Sequence, residues 1–273
     1  MSRRAFCVAL LTCLAALLAC PAGAYAQAQP KEEYTPEVGQ AGKDVVWVPS
    51  PEQLVDRMLD MAKVTPSDTL IDLGSGDGRT VIAAAKRGVR ALGIEYNPDM
   101  VALSRRNAEK AGVTTLASLI EGDIFESDLS KATVITMFLL PDLNVKLRPT
   151  LLNMKAGTRI VSNTFRMGDW TPDETVELGC GSYCTAFLWI VPAKVDGIWK
   201  SVQGDLTLKQ EYQSFSGTLG AAPLANSKLH GEQISFSANG TQYSGRVLGD
   251  TIEGMFNSSA GAGAWKATRV RSD

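Results

Sequence analysis

One stretch constrains this chain more than any other: Asp68-Thr-Leu-Ile-Asp-Leu-Gly-Ser-Gly-Asp-Gly-Arg79. The apolar run 70–73 predicts a buried strand. Gly74, Gly76 and Gly78 follow at alternate positions, and residues 80–86 have the composition of a helix. Strand, glycine turn and helix together form the mononucleotide-binding corner of an α/β fold.

The alternation continues. Strand 90–95 precedes a helix opened by Asn97-Pro98, and strand 115–121 precedes the loop 122–130. Strand 133–140 leads to helical residues 142–154, which Pro149 is expected to divide in two. Strand 158–163 closes the series. Repeated βα units predict a parallel sheet covered on both faces. Upstream, residues 45–48 read as extended, and Ser50-Pro51-Glu52-Gln53 reads as a helix start capped by Ser50. Downstream, runs 175–178 and 185–191 read as a hairpin, with Cys180 and Cys184 flanking its tip. Either a disulfide or two half-buried thiols fits there.

From residue 193 the pattern changes. Glycine and serine increase, helical periodicity ends, and short alternating runs appear. Leu206, Leu208 and Tyr212 share one parity, and Ile234, Phe236, Tyr243 and Val247 continue it. Asn239-Gly240 predicts a tight hairpin. Residues 193–273 are expected to form a small antiparallel β-barrel or sandwich, with Trp199 and Trp265 in its core.

The first 26 residues read as a secretory signal: Arg3 and Arg4, an uncharged apolar run 5–19, and Ala24-Tyr-Ala26 as a cleavage site. The run is too short for a comfortable membrane span. A twin-arginine variant is an alternative, and a lipoprotein box at Cys20 fits less well. Residues 27–44, polar and rich in Pro, Gly and Glu, read as a mobile linker. The protein is therefore expected to be periplasmic or secreted, with no span after cleavage. Its net charge of −2 gives no bulk affinity for nucleic acid. No metal-ligating cluster stands out, and nothing in the sequence bears on oligomeric state.

Three segments carry chemistry. The glycines permit sharp turns and close backbone approach, and the helix start favours a negatively charged group. A dinucleotide fingerprint requires glycine or alanine where Arg79 stands, so that reading is disfavoured. Glu95 ends the second strand 21 residues after Gly74. An acidic residue at such an interval accepts ribose hydroxyls. Gly122-Asp123-Ile124 ends the third strand, where a carboxylate can accept from an adenine amine and Ile124 can bracket the ring.

Asp72-Leu-Gly-Ser-Gly-Asp-Gly78, Gly93-Ile-Glu95 and Gly122-Asp123-Ile124 resemble the first three motifs of class I S-adenosylmethionine-dependent methyltransferases. The resemblance covers roughly residues 45–192 and implies a Rossmann-like seven-stranded sheet. Within the class, residues 72–79 and Pro141-Asp-Leu-Asn-Val-Lys-Leu147 are similar to lysine methyltransferases of the ATP synthase c subunit. The resemblance implies S-adenosylmethionine as cofactor, held by Asp72, Gly74, Ser75, Gly76, Gly78, Glu95, Tyr96, Asp123 and Ile124. It places Asp72 near the cofactor's amino group and Tyr96 over the adenine.

Phe138-Leu-Leu-Pro141-Asp142 lacks the Asn/Asp-Pro-Pro-aromatic pattern of enzymes that methylate bases or glutamine, so those acceptors are disfavoured. Trp47, Leu140, Pro141, Phe165 and Trp170 are candidates to line an apolar channel for a lysine amine, or to be ordinary core. No general base is identified, and alignment of donor and acceptor suffices. The leading expectation is an exported methyltransferase acting on a protein lysine. The alternative is a non-catalytic envelope protein that uses the same fold to hold an adenosine ligand or a partner.

Overall fold

The computed structural model describes residues 34–270. The signal, its cleavage site, the twin-arginine and lipoprotein variants and the first part of the linker lie outside the described residues. A helix α1 (Glu52–Met61) precedes the sheet, which begins with β1 (Thr69–Leu73), α2 (Arg79–Lys86), β2 (Arg90–Glu95), α3 (Pro98–Lys110) and β3 (Ala117–Glu121). It continues through β4 (Val134–Met137), α4 (Pro141–Leu152) and β5 (Arg159–Asn163). The hairpin of β6 (Glu174–Glu177) and β7 (Thr185–Ile190) ends it. Strand order is β3-β2-β1-β4-β5-β7-β6, parallel except for β7, which runs antiparallel to β5 and β6.

Side-chain alternation separates two cores. On β7, Ala186 and Leu188 join the face covered by α1, α2 and α3, while Phe187 and Trp189 join the face covered by α4. Leu54, Val55, Met58 and Leu59 put one side of α1 into the first core. Each such side chain contributes about 1.5–3 kcal/mol on burial.

Two local expectations change. Pro149 does not divide α4, which runs unbroken from Pro141 to Leu152. The carbonyl deprived of its donor belongs to Val145, and both Val145 and Pro149 are exposed, so water can satisfy it. Ser50 does not cap α1, whose N-cap is Pro51 without a side-chain cap. The Ser50 hydroxyl accepts instead from Asn163 Nδ2 at 2.9 Å.

A second sheet of nine antiparallel strands runs from β8 (Gly197–Ser201) to β16 (Gly261–Arg269). It curls until β10 (Ser214–Leu219) lies beside β12 (Ala225–His230), a nearly closed barrel. Trp199 and Trp265 are buried in its core with Leu206, Leu208, Phe236, Tyr243 and Val247. Asn239 and Gly240 both adopt positive φ between β13 (Gln233–Ala238) and β14 (Thr241–Leu248).

The barrel is fastened to the first sheet. Tyr212 leaves the parity of Leu206 and Leu208 and stacks on Trp170, with centroids 5.9 Å apart and planes 16° apart. Trp170 Nε1 donates to Gln213 Oε1 at 2.8 Å, and the Trp170 carbonyl accepts from Trp189 Nε1 at 2.8 Å. Trp170 is fully buried. It is therefore a packing residue between the sheets and not a channel wall. Among the described residues no helix is long and apolar enough to cross a membrane.

Candidate active site

The carboxyl ends of the parallel strands converge at the glycine turn. Gly74 and Ser75 N–H both donate to the Ile94 carbonyl, at 2.9 and 3.0 Å, so the turn is tied to β2. Gly76 has φ +53, and a Cβ there would lie 2.8 Å from Trp47 Nε1. Gly78 caps α2 at φ +81, and a Cβ would lie 2.9 Å from Ser104 Cβ on α3. Side chains are thus excluded at both positions by backbone conformation and by contact. Ser75 is buried with its Oγ lacking a hydrogen-bond partner, on the side facing Gly93.

Glu95 joins the turn to the start of α3. Its Oε2 accepts from Gly76 N–H and its Oε1 from Asn97 N–H, both at 3.0 Å. Asn97 then caps α3 by accepting from Asp99 N–H at 2.9 Å. Glu95 is itself half-buried.

Asp72, at the end of β1, is buried. Burial pushes its carboxyl up to about 7, against the 2.6 Å hydrogen bond from Thr136 Oγ1; Asp77 and Glu95 push it further up. A desolvated carboxylate with carboxylates as neighbours is stabilised by an incoming cation.

Arg79, which breaks the dinucleotide pattern, has a structural task. Its guanidinium pairs with Asp77 at 2.6 Å and donates to the Ser50 carbonyl at 2.7 Å. It therefore fastens the segment ahead of α1 to the glycine turn.

That segment is not a free linker where it is described. Gly39 N–H donates to the Trp47 carbonyl and Trp47 N–H to the Gln40 carbonyl, which folds residues 39–47 into a tight loop. Lys43 Nζ reaches Asp123 Oδ2 at 2.6 Å and lies 4.4 Å from the centre of the Tyr96 ring. The lysine holds the Asp123 carboxyl below its usual range, helped by Phe125 N–H donating to Oδ1 at 2.8 Å. Tyr96 is 53% exposed, and Ile124 is half-buried beside Asp123.

A cavity lies between the glycine turn and β4, lined among others by Trp47, Ser50, Asp72, Gly74, Gly76 and Phe138. Leu140 and Pro141 are exposed at the start of α4. Phe165 follows β5 and stacks on Phe138 with centroids 6.0 Å apart. Phe138 follows β4 with no local signal of a role, and nothing in the sequence around Tyr183 singles it out. The structure brings Tyr183, from the β6–β7 tip, to 5.5 Å from Phe138 and 6.1 Å from Phe165. It also pairs Cys180 with Cys184, Cα atoms 5.6 Å apart, across that tip. Lys43, Phe138 and Tyr183 are separated in sequence by unrelated elements, and no local pattern links them.

These residues fit S-adenosylmethionine. Asp72 is a buried carboxylate suited to a cation, the turn admits no side chain at Gly76, Glu95 ends β2 and Asp123 lies just past the end of β3.

Comparisons with known proteins agree. The ANTKMT methyltransferase domain family matches residues 72–174. A protein-lysine N-methyltransferase of Saccharolobus islandicus is 44% identical over 151 residues, which span 54% of this chain and 94% of that protein. The Mus musculus lysine N-methyltransferase of the ATP synthase c subunit is 35% identical over 49% of this chain and 54% of its own. A Salinibacter ruber crystal structure, described as an RNA methyltransferase with S-adenosyl-L-homocysteine, is 49% identical. It has a TM-score of 0.52 and covers 54% of this chain and 96% of its own.

Proposed function

This chain belongs to the family of S-adenosylmethionine-dependent methyltransferases that includes the lysine enzyme of Saccharolobus islandicus, and we propose that it methylates lysine side chains of proteins in the cell envelope. The observation that carries the acceptor reading is the mouth of the site. Phe138 lines the cavity and stacks on Phe165, Leu140 and Pro141 are exposed just after Phe138 in the chain, and the segment after β4 offers no carboxamide-proline arrangement for a planar amide or base.

When bound, S-adenosylmethionine supplies an electrophilic methyl group on a sulfonium sulfur. Asp72 would hold the cofactor's amino group, Glu95 its ribose and Asp123 its adenine. The chain's own contribution is alignment and exclusion of water. Trp47 covers the glycine turn, and the apolar mouth strips water from an arriving ammonium. Desolvation lowers that amine's pKa and exposes its lone pair.

The envelope location rests on Arg3, Arg4, the apolar run 5–19 and Ala24-Tyr-Ala26. A twin-arginine route would export the protein folded, with cofactor already held. Residues 1–30 fused to a reporter active only outside the cytoplasm should export it; a silent reporter sinks the location. For the acceptor, purified protein is incubated with methyl-labelled cofactor and envelope extract. Label should be recovered on lysine after protein hydrolysis. Label recovered in RNA instead, as the description of the Salinibacter protein would have it, overturns the lysine reading.

A further inference from the structure

The β6–β7 tip puts an aromatic residue at the mouth of the site. We propose that Phe138, Phe165 and Tyr183 form one aromatic wall along which the acceptor lysine lies, and that Tyr183 sets the preference for a long cationic side chain. This rests on the lysine reading above.

Three observations carry it. First, the wall is continuous with the cofactor cavity. Phe138 lines that cavity beside Asp72 and Trp47, Phe165 stacks on Phe138, and Tyr183 packs on both. Exposure rises outward, from half-buried phenylalanines to a tyrosine 43% exposed. The rings therefore lead from solvent to the reacting end of the site.

Second, the wall is held in place at a conformational cost. Thr164 has φ +61, a left-handed conformation that a β-branched residue rarely adopts. It is the centre of a γ-turn in which Phe165 N–H donates to the Asn163 carbonyl at 2.7 Å. The turn is fixed from every side. Thr164 N–H donates to the Thr185 carbonyl at 2.6 Å, Thr164 Oγ1 to Asn163 Oδ1 at 2.7 Å, and Ser162 Oγ to the Phe165 carbonyl at 2.8 Å. Tyr183 also has positive φ, at +60. Two strained residues thus present two of the three rings, which is where strain serves a site.

Third, Tyr183 is tethered. Cys184 is buried in the first core, and its pairing with Cys180 closes the loop that carries Tyr183. An exposed ring held this way loses little freedom when a ligand packs on it.

The chemistry matches a lysine. Ring faces carry negative charge density that attracts an ammonium, and their apolar surface accepts a methylene stem.

The test uses the full mature protein saturated with S-adenosylhomocysteine. Nα-acetyl-lysine amide and its uncharged norleucine counterpart are titrated by NMR, and KM and kcat are measured on a synthetic lysine peptide. Wild type should bind the lysine amide and not the norleucine amide. Tyr183→Ala should weaken lysine binding and raise KM by about five- to thirtyfold, with S-adenosylhomocysteine affinity unchanged. Tyr183→Phe should recover most of the loss. If wild type methylates lysine and Tyr183→Ala binds and turns over as wild type does, the wall is wrong and the lysine reading stands. If wild type neither binds the lysine amide nor methylates lysine, both fall.

Discussion

Lys43 Nζ lies 2.6 Å from Asp123 Oδ2, an ion pair between residues 80 positions apart in the chain. Through it the loop 39–47 reaches the carboxylate assigned to adenine. If Asp123 holds the adenine as proposed, adenine and Lys43 compete for one acceptor. Lys43→Met should tighten S-adenosylhomocysteine binding by roughly two- to fivefold at low salt, the scale expected of an exposed pair. In wild type the affinity should rise with ionic strength, because salt screens the competing pair. Weaker binding by the variant would show that Lys43 helps hold the ligand.

Glu95, proposed to hold the ribose, accepts two backbone N–H groups, from Gly76 and Asn97. Glu95→Ala should weaken cofactor affinity by about 1–3 kcal/mol, since partly buried donors lose their partner. Titration calorimetry measures the affinity, and a thermal melt separates it from loss of fold. Unchanged affinity in a folded variant removes Glu95 from the ribose.

Asp72 titrates at about 7 in the folded, cofactor-free protein because it is buried, against about 3.9 in an unfolded chain. Between those values the native state binds the extra proton. Stability should therefore fall as pH rises through that window, each pH unit counting about 1.4 kcal/mol. Asp72→Asn should flatten the dependence in denaturant titrations across the same window. Cofactor binding should tighten as pH rises through the upper end of that window, because a cationic amino group favours the ionised carboxylate. Equal pH slopes in wild type and variant would refute the assignment.

Trp170 is fully buried between the sheets, stacked on Tyr212 and bonded to Gln213. Trp170→Ala should cost about 3–5 kcal/mol by leaving a cavity and Gln213 Oε1 without its donor. Unfolding monitored by fluorescence and by circular dichroism should then separate into two transitions as the barrel loosens. A single unchanged transition would show that the sheets are coupled elsewhere.

The βα alternation was legible because each element carries its own signal. Residues 90–95 match β2 throughout, and Asn97-Pro98 opens α3 with the cap it promises. The glycine turn and Glu95 were legible for the same reason: the turn follows β1 and Glu95 ends β2. Trp47 was legible as an apolar residue near the site, but not as the cover on Gly76. Trp170 stayed open between channel and core, because buried aromatic residues look alike in sequence whether they face a channel or a second sheet. Ser50 misled because its capping box is a local possibility that a distant partner, Asn163, overrides.

By itself, then, the sequence determined the sheet, its covering helices, an antiparallel β module after it and the three segments proposed to meet a nucleotide-like ligand. These depend on periodicity, turn chemistry and the identity of residues close together in the chain. Only the tertiary structure decided which distant side chains meet. Lys43 on Asp123, Ser50 on Asn163, Trp170 on Tyr212 and Tyr183 on Phe138 join elements far apart in sequence. Periodicity shows that a residue is buried; the packing of whole layers determines what it is buried against.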